Sequence, residues 1–435
     1  MVFKVKKNRD FAGVFCIGLV SCFVSCTDPT PVQINEKSIT EFHQLNEQTA
    51  NKLNSGVDLF IDYSTCVAEA VRSSDFFSHI RPRITGLNPV LYSIKGDAID
   101  SVSSNKDIIN QEISLIKEIS YSNLEAAGQI ICTGNDQAIL VTDGEYWTVG
   151  AGERTDLAYL KDPFIKWLVR GFDIYVYIED YEERYFGQLY SKKRFYFLFT
   201  DDKLANNIYQ ELNKAFIVSP LSESLHLIKL SNTDIQISNH LTVFPDLDSK
   251  VITDKDFTAI EILSDWESLD EFVLYAKDPE SGSSVPGGTY LVRGLKMTSD
   301  PGSSYSYPEL SIKVYNVSQS YLNNEKADLS ACEIQDFFIL DEELYKSNGE
   351  IGIKLSEDYY NSLNAETENL LRIDIFAKKT DKNIQRNDFE WKSMSKAGTN
   401  SSVFESVLQT VDNASVDPSF NHQVLYTIYL KTGSL

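Results

Sequence analysis

The chain is 435 residues long, 42% hydrophobic and 12% aromatic, which is enough apolar material for two or three folded domains. Its formal net charge of −23 repels phosphate backbones and argues against a nucleic-acid partner. The five histidines (His43, His79, His226, His240 and His422) are scattered without the spacing of a zinc-binding helix, so a zinc enzyme is disfavoured.

The first residues, MVFKVKKNRD, are basic, and the stretch that follows, FAGVFCIGLVSCFVSC, is apolar with small residues. These are the two parts of a secretory signal, and the apolar run is too short for a comfortable membrane span. Small residues precede a cysteine twice, in LVSC at Cys22 and FVSC at Cys26. Both resemble a bacterial lipobox, in which the cysteine is lipidated and becomes the mature N-terminus. Cys26 is favoured, because TDPTPVQINEKS after it reads as a solvated leash, whereas cleavage at Cys22 leaves an apolar start. The expectation is a signal over 1–25, a tether over 26–56 with some helical potential in EFHQLNEQTANKLN, and a lipid anchor holding the protein to the outer membrane, facing the periplasm or the cell surface. An ordinary signal peptide with incidental cysteines is the plainer alternative. The other cysteines, Cys66, Cys132 and Cys332, are odd in number and are expected to be free.

From Val57 the pattern alternates. VDLFIDY reads as a strand and STCVAEAVRSSDFF as a helix; NPVLYSIKG is a strand and NKDIINQEISLIKEIS an amphipathic helix. NLEAAGQIIC is a further helix, and AILVTDG an apolar strand ending in a turn. DPFIKWLVRG reads as a helix with Asp162 as N-cap, Pro163 in the first helical position, and Phe164, Trp167 and Leu168 buried. FDIYVYIED and KRFYFLFTDD are strands, and KLANNIYQELNKAF closes the run as a helix. Alternation over 57–216 predicts a doubly wound α/β domain, with ligands at the carboxyl ends of its strands.

After about Phe216 strands predominate: ESLHLIKL, EFVLYAK, GTYLVRGLKM, ELSIKVYNV, LLRIDIFAK and QVLYTIYLK, with one helix in SSVFESVLQTVDN. Residues 217–435 are expected to form a mainly β region of one or two sandwich-like modules. It is expected to be separate, so that a chain ending near Pro220 folds alone.

Three pieces share the strand ends: DYSTC (Asp62, Ser64, Cys66), YSNLEAA (Ser122) and LVTDGEY (Asp143). In this order on this alternation they resemble a von Willebrand factor A-type (vWA) domain with its metal-ion-dependent adhesion site. The resemblance implies that Asp62, Ser64, Ser122 and Asp143 ligate a divalent cation, Mg, with Ca or Mn as variants. It also implies a protein or surface partner that presents an acidic group to an open coordination position. Two carboxylates and neutral hydroxyls are the hard oxygen donors magnesium requires. Two positions depart from the family pattern. Ser122 stands for a threonine and keeps the hydroxyl. Cys66 stands for the second serine and offers a soft sulfur, so the site is degenerate.

Other readings compete. Asp62 and Ser64 also suit a helix cap, and Asp143-Gly144 a simple turn. Cys66 to Arg72 matches the C-x5-R spacing of cysteine-dependent phosphatases, although VAEAV between them is helix-forming and Glu69 repels a dianion. A haloacid-dehalogenase-type use of Asp62 lacks its second acid, since Ser64 stands there. The expected function is therefore binding, adhesion or envelope assembly, not catalysis. The alternatives are a hydrolase using Cys66 or Asp62, and a structural envelope component whose metal site is dead.

Overall fold

A computed structural model describes residues 36–46, 52–116, 122–148, 152–154, 157–185, 187–214, 225–231, 235–238, 242–243, 260–265, 269–275, 287–299, 303–334, 338–357, 369–381, 384–392, 399–416 and 424–433. Cys22 and Cys26 lie outside the described residues, as does the signal over 1–25.

The α/β part contains β1 (Val57–Asp62), α2 (Thr65–Ser73), α3 (Asp75–Gly86), β2 (Val90–Lys95), β3 (Ala98–Ser103), α4 (Lys106–Ser114), α5 (Leu124–Thr133) and β4 (Gln137–Thr142). A small hairpin of β5 (Tyr146–Thr148) and β6 (Gly152–Arg154) follows, then α6 (Lys161–Val169), β7 (Asp173–Tyr185), β8 (Gln188–Thr200), α7 (Ile208–Asn213) and β9 (Leu225–Leu230). The seven-stranded sheet has the order β3-β2-β1-β4-β8-β7-β9. β1 is parallel to β2 and β4, so the carboxyl ends of these three share one rim. Helices cover both faces. Leu59, Ile61, Ile139 and Val141 pack with α2, α3, α4 and α7, while Phe60, Leu140, Phe197 and Phe199 pack with α5 and α6.

The α/β class is as expected, but half of the sheet departs from the doubly wound pattern. β8 is antiparallel to β4, β7 to β8, and β9 to β7. The reason is local. FDIYVYIED and KRFYFLFTDD are arms of one continuous hairpin, turned at Gly187 (φ +80), with no crossover helix between them. ESLHLIKL supplies β9, so the α/β sheet extends past the expected boundary at 216 to Leu230.

Smaller differences have equally local causes. The helix expected over STCVAEAVRSSDFF is two, because the Ser74 side chain accepts from Phe77 N and begins α3. β3 escaped notice because its residues are largely exposed and show no clean alternation. α6 starts at Lys161 with Leu160 as N-cap, not Asp162, and Pro163 sits third, where its missing N–H is still an orphan position. Phe164, Trp167 and Leu168 are buried there as expected.

Beyond β9 the chain is mainly β. One sheet joins β10 (Ile235–Ser238), β14 (Tyr290–Ser299), β18 (Glu350–Leu355) and β17 (Phe338–Leu340), with β11 (Thr242–Val243) also on β14. The other has the order β12 (Ile260–Asp265), β13 (Leu269–Tyr275), β22 (Val424–Gly433), β19 (Asn369–Asp381), β15 (Tyr305–Asn316), β16 (Glu333–Ile334). β20 (Trp391–Lys392) and β21 (Thr399–Asn400) form a small pair. Short helices α8 (Ser318–Asn323), α9 (Leu329–Cys332), α10 (Glu342–Asn348) and α11 (Arg386–Phe389) connect strands, and α12 (Ser402–Val416) is the longest of this region.

This region is not detached from the first. A single apolar core contains Phe164, Phe195 and Phe197 of the α/β part together with Phe389, Trp391, Val403, Phe404 and Val407. Ser406 Oγ of α12 accepts from Leu160 N at the start of α6. Within the stretch expected as a tether, α1 (Glu36–Asn46) is a docked helix. Its Phe42 is 2% exposed and packs edge-on against Tyr321 and Tyr429.

Candidate functional site: a buried ionic cluster at the strand ends

Each expected residue reaches the carboxyl rim by its own local route. Asp62 is the last residue of β1. Ser122 is bridged to Gly96, just past the end of β2, and Asn123 N donates to Gly96 O at 2.9 Å. Asp143 follows β4, and its Oδ1 accepts from Glu145 N at 3.0 Å, closing a turn in which Gly144 has φ +75. Tyr159 donates to Gly144 O at 2.9 Å and fixes the turn from the other side.

The side chains converge. Ser122 Oγ donates to Asp62 Oδ1 in a short hydrogen bond, and Thr142 Oγ1 donates to Asp62 Oδ2 at 2.7 Å while accepting from Gly144 N at 3.0 Å. Ligand atoms of Asp62, Cys66 and Asp143 all lie within 4.8 Å of one another. Ser64 occupies the N-cap position of α2, yet its side chain makes no capping bond; it donates to Cys66 Sγ at 3.2 Å. The helix-cap alternative therefore fails for Ser64, while the turn at Asp143-Gly144 is real and is also part of the cluster.

The cluster is sealed. Asp62 is 1% exposed, Asp143 2%, Ser122 3% and Cys66 0%. Burial, then the charge of Asp143, pushes the Asp62 carboxyl up to about 7, against the opposing hydroxyls of Ser122, Thr142 and Ser64. Burial, then Asp143 and Asp62, holds the Cys66 thiol well above its ordinary range, so it is a protonated thiol at neutral pH. Arg72 does not face it. Arg72 is largely exposed and pairs with Glu69 at 2.8 Å. Cys66, Cys132 and Cys332 are free thiols.

Two basic residues that sequence reasoning missed complete the site. The β7–β8 hairpin overhangs the rim, because β8 pairs with β4 only as far as Thr142↔Phe195 and continues beyond it. On that overhang Lys192 is directly opposite Tyr181, and Arg194 is opposite Glu179. Lys192 Nζ donates to Asp143 Oδ2 at 2.8 Å and to Glu183 Oε2 at 3.0 Å, and pairs with Glu145 Oε1 at 2.9 Å. Burial pulls its pKa down, but Asp143, Tyr181, Glu145 and Glu183 outweigh that and leave it well above the ordinary lysine value. Arg194 Nε donates to Cys66 O at 2.9 Å, its Nη1 pairs with Glu179 at 2.7 Å, and the guanidinium lies 4.1 Å from the Tyr181 ring centroid. A period-two signal was there to be read. Glu179, Tyr181 and Glu183 alternate on one side of Gly187, and Lys192 and Arg194 on the other.

The residues do not fit a divalent adhesion site as they stand. Both Asp62 oxygens accept hydroxyl donors, Asp143 is engaged by a backbone N–H and an ammonium, and Cys66, the third group within 4.8 Å, offers a neutral sulfur. Asp62, Cys66, Ser122 and Asp143 are buried, whereas the acidic partner that the resemblance implies needs a ligand position open to solvent. Comparison with protein-family models, with curated proteins and with solved structures finds no match to this chain.

Proposed function

We propose that this chain is a lipid-anchored, extracytoplasmic binding or envelope-assembly protein, without catalytic activity, built on a vWA-like domain whose adhesion site has become structural. The signal segment and the cysteine at position 26 support the envelope location. The strand-helix order and the convergence of Asp62, Ser64, Ser122 and Asp143 support the vWA-like reading. The observation that carries the non-catalytic reading is the sealed cluster. Its thiol is held protonated and its carboxylates are hydrogen-bonded and ion-paired, so Cys66, Asp62 and Asp143 present no free nucleophile to solvent. In this reading the partner is a protein or surface met outside the strand-end cluster; a partner presenting an acidic group belongs to the Mg-dependent reading below.

A second reading, Mg-dependent adhesion with Ca or Mn as substitutes, is favoured by the same convergence, provided the hairpin lifts away from the rim. Two measurements test the proposal. Purified full-length protein should turn over generic phosphoesters and carboxyl esters no faster than Cys66→Ala and Asp62→Asn; turnover that these variants lose would establish a hydrolase. Mass spectrometry of the mature N-terminal peptide should find lipid on Cys26. An unmodified N-terminus would remove the anchor, and lipid on Cys22 would move it.

A further inference from the structure

A cation already sits among the carboxylates, and it belongs to the chain. A lysine ammonium has three N–H donors, and Lys192 faces three carboxylates, those of Asp143, Glu145 and Glu183, at 2.8–3.0 Å. Its side chain is 1% exposed, so solvent screens these pairs little. The three acids come from two places: Asp143 and Glu145 from the turn after β4, Glu183 from β7. The ammonium therefore ties the overhanging hairpin to the loop at the centre of the sheet.

We propose that the Lys192 ammonium is the resident cation of this site, doing with a side chain what a divalent ion does in the adhesion site that the sequence resembles. The site is a metal-independent clamp that closes the β7–β8 hairpin over the carboxyl rim. Entry of a divalent ion requires the ammonium to give up three carboxylate contacts, two of them to the buried acids Asp143 and Glu183, and to find new partners of its own. Removing the lysine charge has the opposite effect. It leaves converging carboxylates whose mutual repulsion a divalent ion relieves. Lys192→Ala then vacates both the charge and the space, and Lys192→Met vacates the charge alone. The clamp and the non-catalytic reading fail separately: substrate turnover would remove the latter only, and metal uptake by the wild type the former only.

The test uses full-length protein, Mn2+ and thermal melting, with Mn2+ binding counted by electron paramagnetic resonance. Wild-type protein in 1 mM Mn2+ or Mg2+ should melt as it does in chelator, with no ion bound. Lys192→Ala should melt lower in chelator and recover by roughly several degrees in Mn2+, by mass action on the folded state. Lys192→Met should melt lower and recover less. Lys192→Ala/Asp143→Asn should lose the recovery. One Mn2+ taken up per wild-type chain overturns the proposal whatever the variants do, and so does a folded Lys192→Ala that ignores the metal. If Lys192→Ala does not fold, Lys192→Gln takes its place with the same expected and overturning outcomes.

Discussion

Lys192 and Gly144 carry the sharpest consequences at the scale of single residues. Breaking a buried ion pair by removing one partner leaves an uncompensated charge and costs about 3–5 kcal/mol. Lys192→Met should therefore lower the urea-unfolding free energy by that order, and Lys193→Met, whose partner Asp180 is 42% exposed, by less than about 1 kcal/mol. Equal losses would show that burial is not what gives the Lys192 pairs their weight. Gly144 is constrained twice. Its φ of +75 disfavours any L side chain, and a Cβ there would collide with Val403 Cγ2 of α12. Gly144→Ala should cost more than about 2 kcal/mol in the same assay. At the opposite rim, Asp173 accepts from Ser231 Oγ and from Asp202 N at 2.8 Å. Burial, then Asp202, raises its pKa from 3.8 to about 7. Between those values the folded state keeps a proton that the unfolded chain has lost. Stability from this group is fully present below about pH 4, is lost as pH rises to about 7, and is level above. The slope is at most about 1.4 kcal/mol per pH unit for one proton. Asp173→Asn should lessen the slope there and leave the share of Asp62, whose carboxyl is also raised to about 7; an unchanged slope would assign it to other groups.

At the scale of elements, α1 and the β7–β8 hairpin behave unlike their sequence patterns. Glu36–Asn46 is a polar-looking helix with a narrow apolar edge, yet Ile39 and Phe42 are buried against Val317, Tyr321, Leu370 and Tyr429. Asn46 Oδ1 also accepts from Ala327 N at 2.7 Å. The segment next to the expected anchor is thus fastened to the C-terminal β region. Phe42→Ala should cost about 3–5 kcal/mol, as deletion of a buried phenyl ring does. It should also speed proteolysis within 36–46; resistance equal to that of the wild type would mean the helix is held by other contacts. The hairpin places Lys192 and Arg194 in the half that overshoots the sheet, where they hang over strands with which they are not paired.

At the scale of the whole molecule, the α/β and β regions share a core, so a boundary at 216 cuts through packed structure. A chain ending near Pro220 loses β9, which pairs with β7, and uncovers Phe195, which stacks on Phe389 at 6.2 Å between ring centroids. It also uncovers the surface of α6 where α12 docks. Such a chain should melt at lower temperature than the full one, or aggregate. A cooperative melt at the full-length temperature would show that the two regions contribute to stability independently, as the strand pattern alone suggested.

The sequence by itself determined the features that depend on neighbours along the chain. Apolar runs ending in turns placed β1, β2 and β4, three- and four-residue spacing placed α4 and α5, and the acid after each strand placed Asp62 and Asp143 at one rim. Ser122 was legible only through the resemblance to the adhesion-site pattern; it precedes α5, and a bridge to Gly96 carries it to the rim. What only the tertiary structure decided depends on residues far apart in sequence. Lys192 meets Asp143 across 49 positions, and Ser406 meets Leu160 across 246. No local pattern states that a hairpin will overhang the rim, or that a C-terminal helix will close it. Register decides the first and packing the second. Together they turn an expected open metal site into a closed one, because a side chain supplies the cation and burial removes the opening.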